Sequence, residues 1–156
     1  TPNGRASNIF LKETKINDEF EALGPYGIFT YNNENVKNIV HIAAGSGIAP
    51  IRSIIYYILK NKPEIKQTLI FSNKTERDII YKKEFESLQI EKVFTLTREN
   101  HKDHKNGRID KNLLKDYIKD SALYFICGPP LFVDSMVNEL KSLNVRQEQI
   151  KTERYD

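Results

Sequence analysis

Cysteine is nearly missing: Cys127 is the only one in 156 residues. One thiol cannot close an intramolecular disulfide, nor supply the roughly four thiolates that an iron–sulfur cluster takes, so both are excluded and a reducing, cytoplasmic setting fits. Long apolar runs are missing too. No stretch of about 18 residues could span a bilayer, because Ser46, Pro50 and Arg52 interrupt the best candidate. Nothing at the start reads as a signal peptide. There is no basic block either: 24 Lys and Arg face 21 Asp and Glu, a net charge of +3, with lysines scattered among acids. Nucleic acid is therefore not an expected partner. Pro/Gly/Ser linkers, repeats and low-complexity tracts are absent. The chain opens on Thr1 and reads as a piece of something longer.

What is present is enough for one domain with a real core, with 39% hydrophobic residues. Residues 1 to 36 are turn-rich, and "NDEFEALGPYGIFTY" reads as a strand, a Gly-Pro-Tyr-Gly turn and a second short strand. From Val36 onward short apolar runs alternate with amphipathic helices. The strands are "NIVHIAA", "QTLIFS", "KVFTLT", "ALYFICG" and "QIKTERY". The helices are "IAPIRSIIYYILKN", "RDIIYKKEFESL", "KNLLKDYIKD" and "PPLFVDSMVNELKSL". Apolar strands without clean alternation suit a sheet buried on both faces. The expected class is therefore α/β, a three-layer α/β/α sandwich around about five parallel strands.

In such sheets ligands bind outside the carboxyl ends of the strands. "AAGSGIAP" lies there, at the end of the first strand, and opens the first helix. Gly45 and Gly47 let backbone N–H groups approach a ligand, Ser46 offers a hydroxyl, and Pro50 can occupy the first helical turn without wasting a donor. Helix N-termini attract phosphates. The alternative is a turn kept glycine-rich only for tight packing. The usual dinucleotide fingerprint is not met: Pro50 replaces the third glycine, and "FSNKTERD" places no acid to hold a ribose 2′-OH.

Other residues have plain readings. "TERD", Thr75 to Asp78, is a capping box for the next helix. Cys127 is either a small buried hydrophobe or a positioned thiol, and need not be a nucleophile. His101 and His104 read as solvated loop residues, since no further ligands lie nearby in sequence, and no metal site is expected. His41 reads as a satisfied core residue.

Taken in order, "GPYG", "AGSGIAPIRS", "FSNKTERDIIYKKEF", "LTREN", "YFICGPPLFVDSM" and the terminal "ERYD" resemble the ferredoxin–NADP reductase superfamily of flavin-dependent NAD(P)H oxidoreductases, over nearly the whole chain. "GSGIAP" is similar to that family's Gly-Thr-Gly-x-x-Pro loop, with Ser46 in place of threonine, and "CGPP" to its second signature. The resemblance implies a pyrophosphate near Gly45, Ser46, Gly47 and Ile48 beside Pro50. It implies a nicotinamide near Cys127 and Gly128, with Pro129 and Pro130 shaping the wall. Asn73 and Thr75 would face the adenosine ribose, with Lys74 and Arg98 deciding between NADH and NADPH and Arg98 favouring NADPH. It also implies hydride transfer from NAD(P)H to FAD, with Ser46, Cys127 and Glu153 as catalytic candidates and Tyr155 beside the flavin. An electron acceptor, protein or small molecule, would follow.

Residues 1–35 resemble the last part of the family's flavin barrel, with Gly4 and Ser7 facing the flavin diphosphate; residues 36–156 would form the NAD(P)-binding domain. The barrel strands carrying most of the flavin contacts are not in this sequence, so FAD would be held mostly elsewhere. Two alternatives stand beside this reading. One is a regulatory or interaction domain that keeps the fold without nucleotide turnover. The other is a subunit that acquires flavin and acceptor from a partner chain.

Overall fold

The structure, a computed structural model, describes residues 5–24, 26–32 and 35–155. A short helix α1 (Arg5–Asn8) runs into a π-type turn over Ile9–Glu13. Pro25 of the expected turn lies outside the described residues; among the described ones no strand precedes Asn38, so the expected strand–turn–strand is not formed by them. Gly24 and Gly27 do take turn-like φ values of 142° and 107°. A hairpin alone is marginal in water, and this segment finds no ladder partner.

Beyond it the chain alternates as expected: β1 (Asn38–Ala44), α2 (Ile48–Asn61), β2 (Lys66–Asn73), α3 (Lys82–Ser87), β3 (Glu91–Leu96), β4 (Lys105–Asn106), α4 (Lys111–Lys115), β5 (Leu123–Gly128), α5 (Pro130–Ser142) and β6 (Ile150–Arg154). All ladders are parallel and the sheet order is β4-β3-β2-β1-β5-β6. The sixth strand is the two-residue edge piece β4. It forms because Gly107 N–H donates to Leu96 O (2.7 Å) as the chain returns along β3.

Side-chain alternation sends Ile39, Ala43, Leu69, Phe71, Phe125 and Cys127 to the face covered by α2 and α3. Val40, Ile42, Ile70, Tyr124 and Ile126 face α4 and α5. Helix α2 is specified by Ile48, Ile51, Ile54, Ile55 and Ile58, one buried stripe at helical spacing. It ends at Asn61 because Lys62, preceding Pro63, is pushed out of helical φ/ψ. Arg52 clamps α2 to α3 through both Glu84 oxygens (2.6 and 3.1 Å). On the other face α5 ends where Asn144 turns left-handed, φ 64°.

The long helix expected over "RDIIYKKEFESL" is shorter than its pattern. The Thr75–Asp78 box exists, with Thr75 N–H and hydroxyl both donating to Asp78 Oδ2 (2.9 and 2.8 Å), but it closes a 3₁₀ turn over Glu76–Asp78. Ile79 then stays extended to bury its side chain, and Tyr81 takes φ 60°, so the helix starts only at Lys82. No helix among the described residues is long and apolar enough to cross a membrane.

Candidate functional site

The chain runs outward from β1 through β2 and β3, then returns to place β5 on the other side of β1. The carboxyl ends of β1 and β5 therefore diverge into a crevice, the place where open α/β sheets take ligands. Here lies a cleft of about 450 Å³ lined by Ala44, Gly45, Ser46, Ser72, Asn73, Lys74, Asp78, Thr97 and Pro129. Its floor is the Gly45–Gly47 turn. Gly45 has φ 53°, and a side chain there would meet nothing within 4 Å, so its backbone is open to the cleft. Ser46 is exposed beside it.

Gly47 has a different job. It is buried, and an added Cβ would strike the Cys127 carbonyl and come within 2.7 Å of Gly128 N. Its missing side chain lets the turn lie directly on β5. Gly128 is equally tight, with a Cβ there 2.9 Å from the Phe132 ring and 3.1 Å from the Ala44 methyl. Pro130 opens α5 at its first position, where no N–H is needed.

Asn73 closes the cleft wall. Only 5% of it is exposed, and neither its amide nitrogen nor its amide oxygen has a hydrogen-bond partner. A buried primary amide with neither end satisfied is costly without a ligand or water. Beside it, Ser72, Lys74 and Thr97 also border a second recess of about 290 Å³, completed by Arg98, Arg108, Phe132 and Met136 among others. Arg98 is held there because β2 and β3 keep pairing past their ends, Thr97 N–H to Asn73 O (3.0 Å) and Arg98 N–H to Lys74 O (2.9 Å). The field of these cations is felt at Asp78. Its carboxyl lies below the ordinary range, chiefly through the Thr75 hydroxyl and backbone N–H, and more weakly through Lys74 and Arg98.

The sequence-derived residues therefore divide. Gly45, Ser46, Asn73, Lys74 and Pro129 line the cleft, and Arg98 lines the adjoining recess. Ile48 is wholly buried in the core and Pro50 borders a groove on the α2 side with Phe29, Tyr31 and Tyr57, so neither side chain is in the cleft. Thr75 is engaged in its capping box. Cys127 is sealed, and burial first, then the Glu153 carboxylate, push its thiol up to about 11. A protonated, enclosed thiol is no nucleophile.

Glu153 pairs with Cys127 across the β5–β6 ladder, and Tyr155 N–H extends that ladder to Gly128 O (3.0 Å). Burial raises the Tyr155 phenol, with smaller contributions from Cys127 and Glu153. Gly4 lies outside the described residues, as does the side chain of Ser7.

Sequence reasoning missed Ser72, Thr97 and Arg108. Asp78, read in the sequence as a capping residue, does close the box, and the 3₁₀ turn also carries it over the end of β2 into the cleft wall. Arg108 follows the Gly107–Leu96 contact that no local pattern announces. His101 and His104 are also not the solvated pair expected. The His104 side chain is 6% exposed and sits edge-on to Phe94 at 5.6 Å, while the two imidazoles stack at 4.7 Å. Glu76 from the 3₁₀ turn meets both.

A parallel sheet with a glycine turn at its switch point, a buried open amide and a cationic recess defines a dinucleotide-type α/β domain. Residues 41–138 match the family described as the oxidoreductase NAD-binding domain, and the chain belongs to that family. It is 32% identical to NADH-cytochrome b5 reductase 1 of Dictyostelium discoideum, over 96% of this chain and 54% of that protein. It is 29% identical to a component of the Na(+)-translocating NADH-quinone reductase of Haemophilus ducreyi, over 96% of this chain and 39% of that one. Among solved structures the Amycolatopsis cytochrome P450 reductase GcoB shares the fold, with a TM-score of 0.87 and 22% identity over 99% of this chain and 49% of that chain. The chain thus spans about half the length, or less, of these relatives.

Proposed function

We propose that the chain is the nucleotide-binding module of an NAD(P)H-dependent flavoprotein oxidoreductase that delivers electrons to a partner acceptor. The observation that carries this is the unpartnered buried amide of Asn73 in a cleft floored by the open Gly45 backbone. Both are polar groups awaiting a polar ligand at a switch point.

In this reading the Gly45–Ser46 backbone and hydroxyl hold the pyrophosphate at the start of α2, where unpaired N–H groups and the helix dipole favour an anion. Asn73 bonds the adenosine side. Gly128, Pro129 and Pro130 form a rigid wall that fixes the nicotinamide, while Glu153 and Tyr155 stand at the neighbouring end of β6. The sealed Cys127 thiol acts only by shape. When bound, NAD(P)H and FAD would supply the hydride chemistry, and the protein supplies position and electrostatics. Residues 1–35 would complete the flavin-holding part, and residues 36–156 the nucleotide part. Two of the relatives named above, the cytochrome b5 reductase and the quinone reductase component, carry NADH in their names. Arg98, Arg108 and Lys74 around one recess are what argue for the 2′-phosphate of NADPH here.

Calorimetric titration with NADH and NADPH tests this. Binding that weakens about fivefold in Ser46→Ala, one lost hydrogen bond, and more in Asn73→Leu supports it. No heat with either nucleotide at millimolar concentration, in a folded sample, would leave the regulatory, non-binding alternative.

A further inference from the structure

At the far edge of the sheet from Glu153, the 3₁₀ turn after β2 and the loop after β3 bring three ligand-type side chains together. Glu76 Oε1 lies 3.5 Å from His101 Nε2 and 3.4 Å from His104 Nε2, and ligand atoms of all three fall within 4.8 Å of one another. Those two distances are long for a nitrogen–oxygen hydrogen bond. They also match a shared ion, since bonds of about 2.0–2.1 Å at tetrahedral angles put ligand atoms about 3.4 Å apart.

We propose that Glu76, His101 and His104 form a binding site for a divalent transition ion of the zinc class, with a fourth position open to water. The donor set of two imidazoles and one carboxylate is of the kind zinc takes in open sites.

Part of the support around the three ligands is already in place. Glu76 N–H donates to Glu99 Oε2 (2.8 Å), fixing the turn. Phe94 packs edge-on against the His104 ring. Asp103 places its carboxylate 3.9 Å from His101 Nδ1, where a metal-bound imidazole needs an acceptor for its other N–H. His101 Nδ1 also lies 3.2 Å from the Asp103 backbone N–H, a contact that an ion on Nε2 would exchange for one to the carboxylate.

The ion has one competitor, the Lys82 ammonium, 2.6 Å from the same Glu76 oxygen. Lys82 has a second carboxylate within reach, Glu86 at 3.4 Å, so it can yield without losing all ionic partners. Once bound, the ion would tie the loop that follows Arg98 to the turn that carries Asp78.

The test is calorimetry of the tag-free chain with Zn²⁺, together with the visible spectrum of the Co²⁺-loaded protein. One ion per chain with a dissociation constant below about 100 µM supports the site, provided it weakens at least about tenfold in His101→Asn and in Glu76→Gln. Intense d–d bands from tetrahedral Co²⁺ would agree with it. Lys82→Met should bind more tightly than the parent, an outcome that a merely hydrogen-bonded cluster does not predict and that survives if a histidine variant misfolds. Weaker binding than this in the parent, affinity indifferent to His101 and Glu76, or no gain in Lys82→Met would overturn the proposal.

Discussion

Gly47 lies against the backbone of Cys127 so closely that the α-carbon of one and the carbonyl of the other leave no room for a methyl group. This contact joins the glycine turn to β5 and sets the width of the crevice between them. Gly47→Ala should therefore destabilise the fold by about 1–3 kcal/mol or more, with Gly47→Val worse, because the neighbour is strand backbone that cannot step aside. Gly45→Ala meets open space and suffers only its left-handed φ of 53°, about 1–2 kcal/mol. Urea unfolding of the three variants checks the order. A well-folded Gly47→Val protein that has merely lost nucleotide would return Gly47 to a ligand-facing role.

Arg98 and Arg108 reach one recess from opposite ends of the loop between β3 and the Gly107 turn. If that recess takes the 2′-phosphate, Arg98→Ala should weaken NADPH roughly ten- to hundredfold, the range of lost charge-assisted bonds, with the lower figure at higher salt. Arg108→Ala should act in the same direction, and NADH should be nearly unaffected by either. Equal losses for both nucleotides would assign the arginines to packing.

The Cys127 thiol, pushed up to about 11 by burial and by Glu153, should ignore a thiol reagent at pH 8 in the native chain and react fully in urea. Comparing the time courses of a disulfide reagent in both conditions measures this. Fast native labelling would mean that the β5 end opens readily.

His41 is fully buried, bonded through Nε2 to Gln67 Oε1 (2.9 Å) and stacked on Phe125, but its Nδ1 has no partner. Burial lowers its pKa to about 4, against a smaller opposing effect from Gln67. Below about pH 6.5 the unfolded chain takes up this proton and the folded chain does not. Stability from the neutral ring is thus whole above pH 6.5 and falls as the pH drops toward 4, by up to about 3 kcal/mol. Urea midpoints across that window should show the slope, and His41→Leu should flatten it while lowering stability at pH 7 through the stranded Gln67 amide.

Much of this molecule was legible in its sequence because the relevant physics is local. The isoleucine stripe from Ile48 to Ile58 can only be a half-buried helix. The short, largely apolar runs ending at Ala44, Asn73 and Gly128 read as strands covered on both sides. The glycine turn and the Gly-Pro-Pro step mark where strand gives way to helix. These patterns suffice for the parallel α/β class and for the end of the sheet that holds the cleft.

What tertiary structure alone decided is which of those residues face the cleft and which are hidden beneath it. Gly45 and Gly47 are alike in sequence, but β5 lies over one and open space over the other. Ile48 and Pro50 sit in the motif and point away from its ligand side. Asp78 enters the wall because Tyr81 turns left-handed and delays the helix. Arg108 and the Glu76–His101–His104 cluster exist only because the loop after β3 returns along the sheet edge. Contacts between residues tens of positions apart depend on where backbone hydrogen bonds bring the chain back, and that is a property of the assembled sheet rather than of any stretch of residues within it.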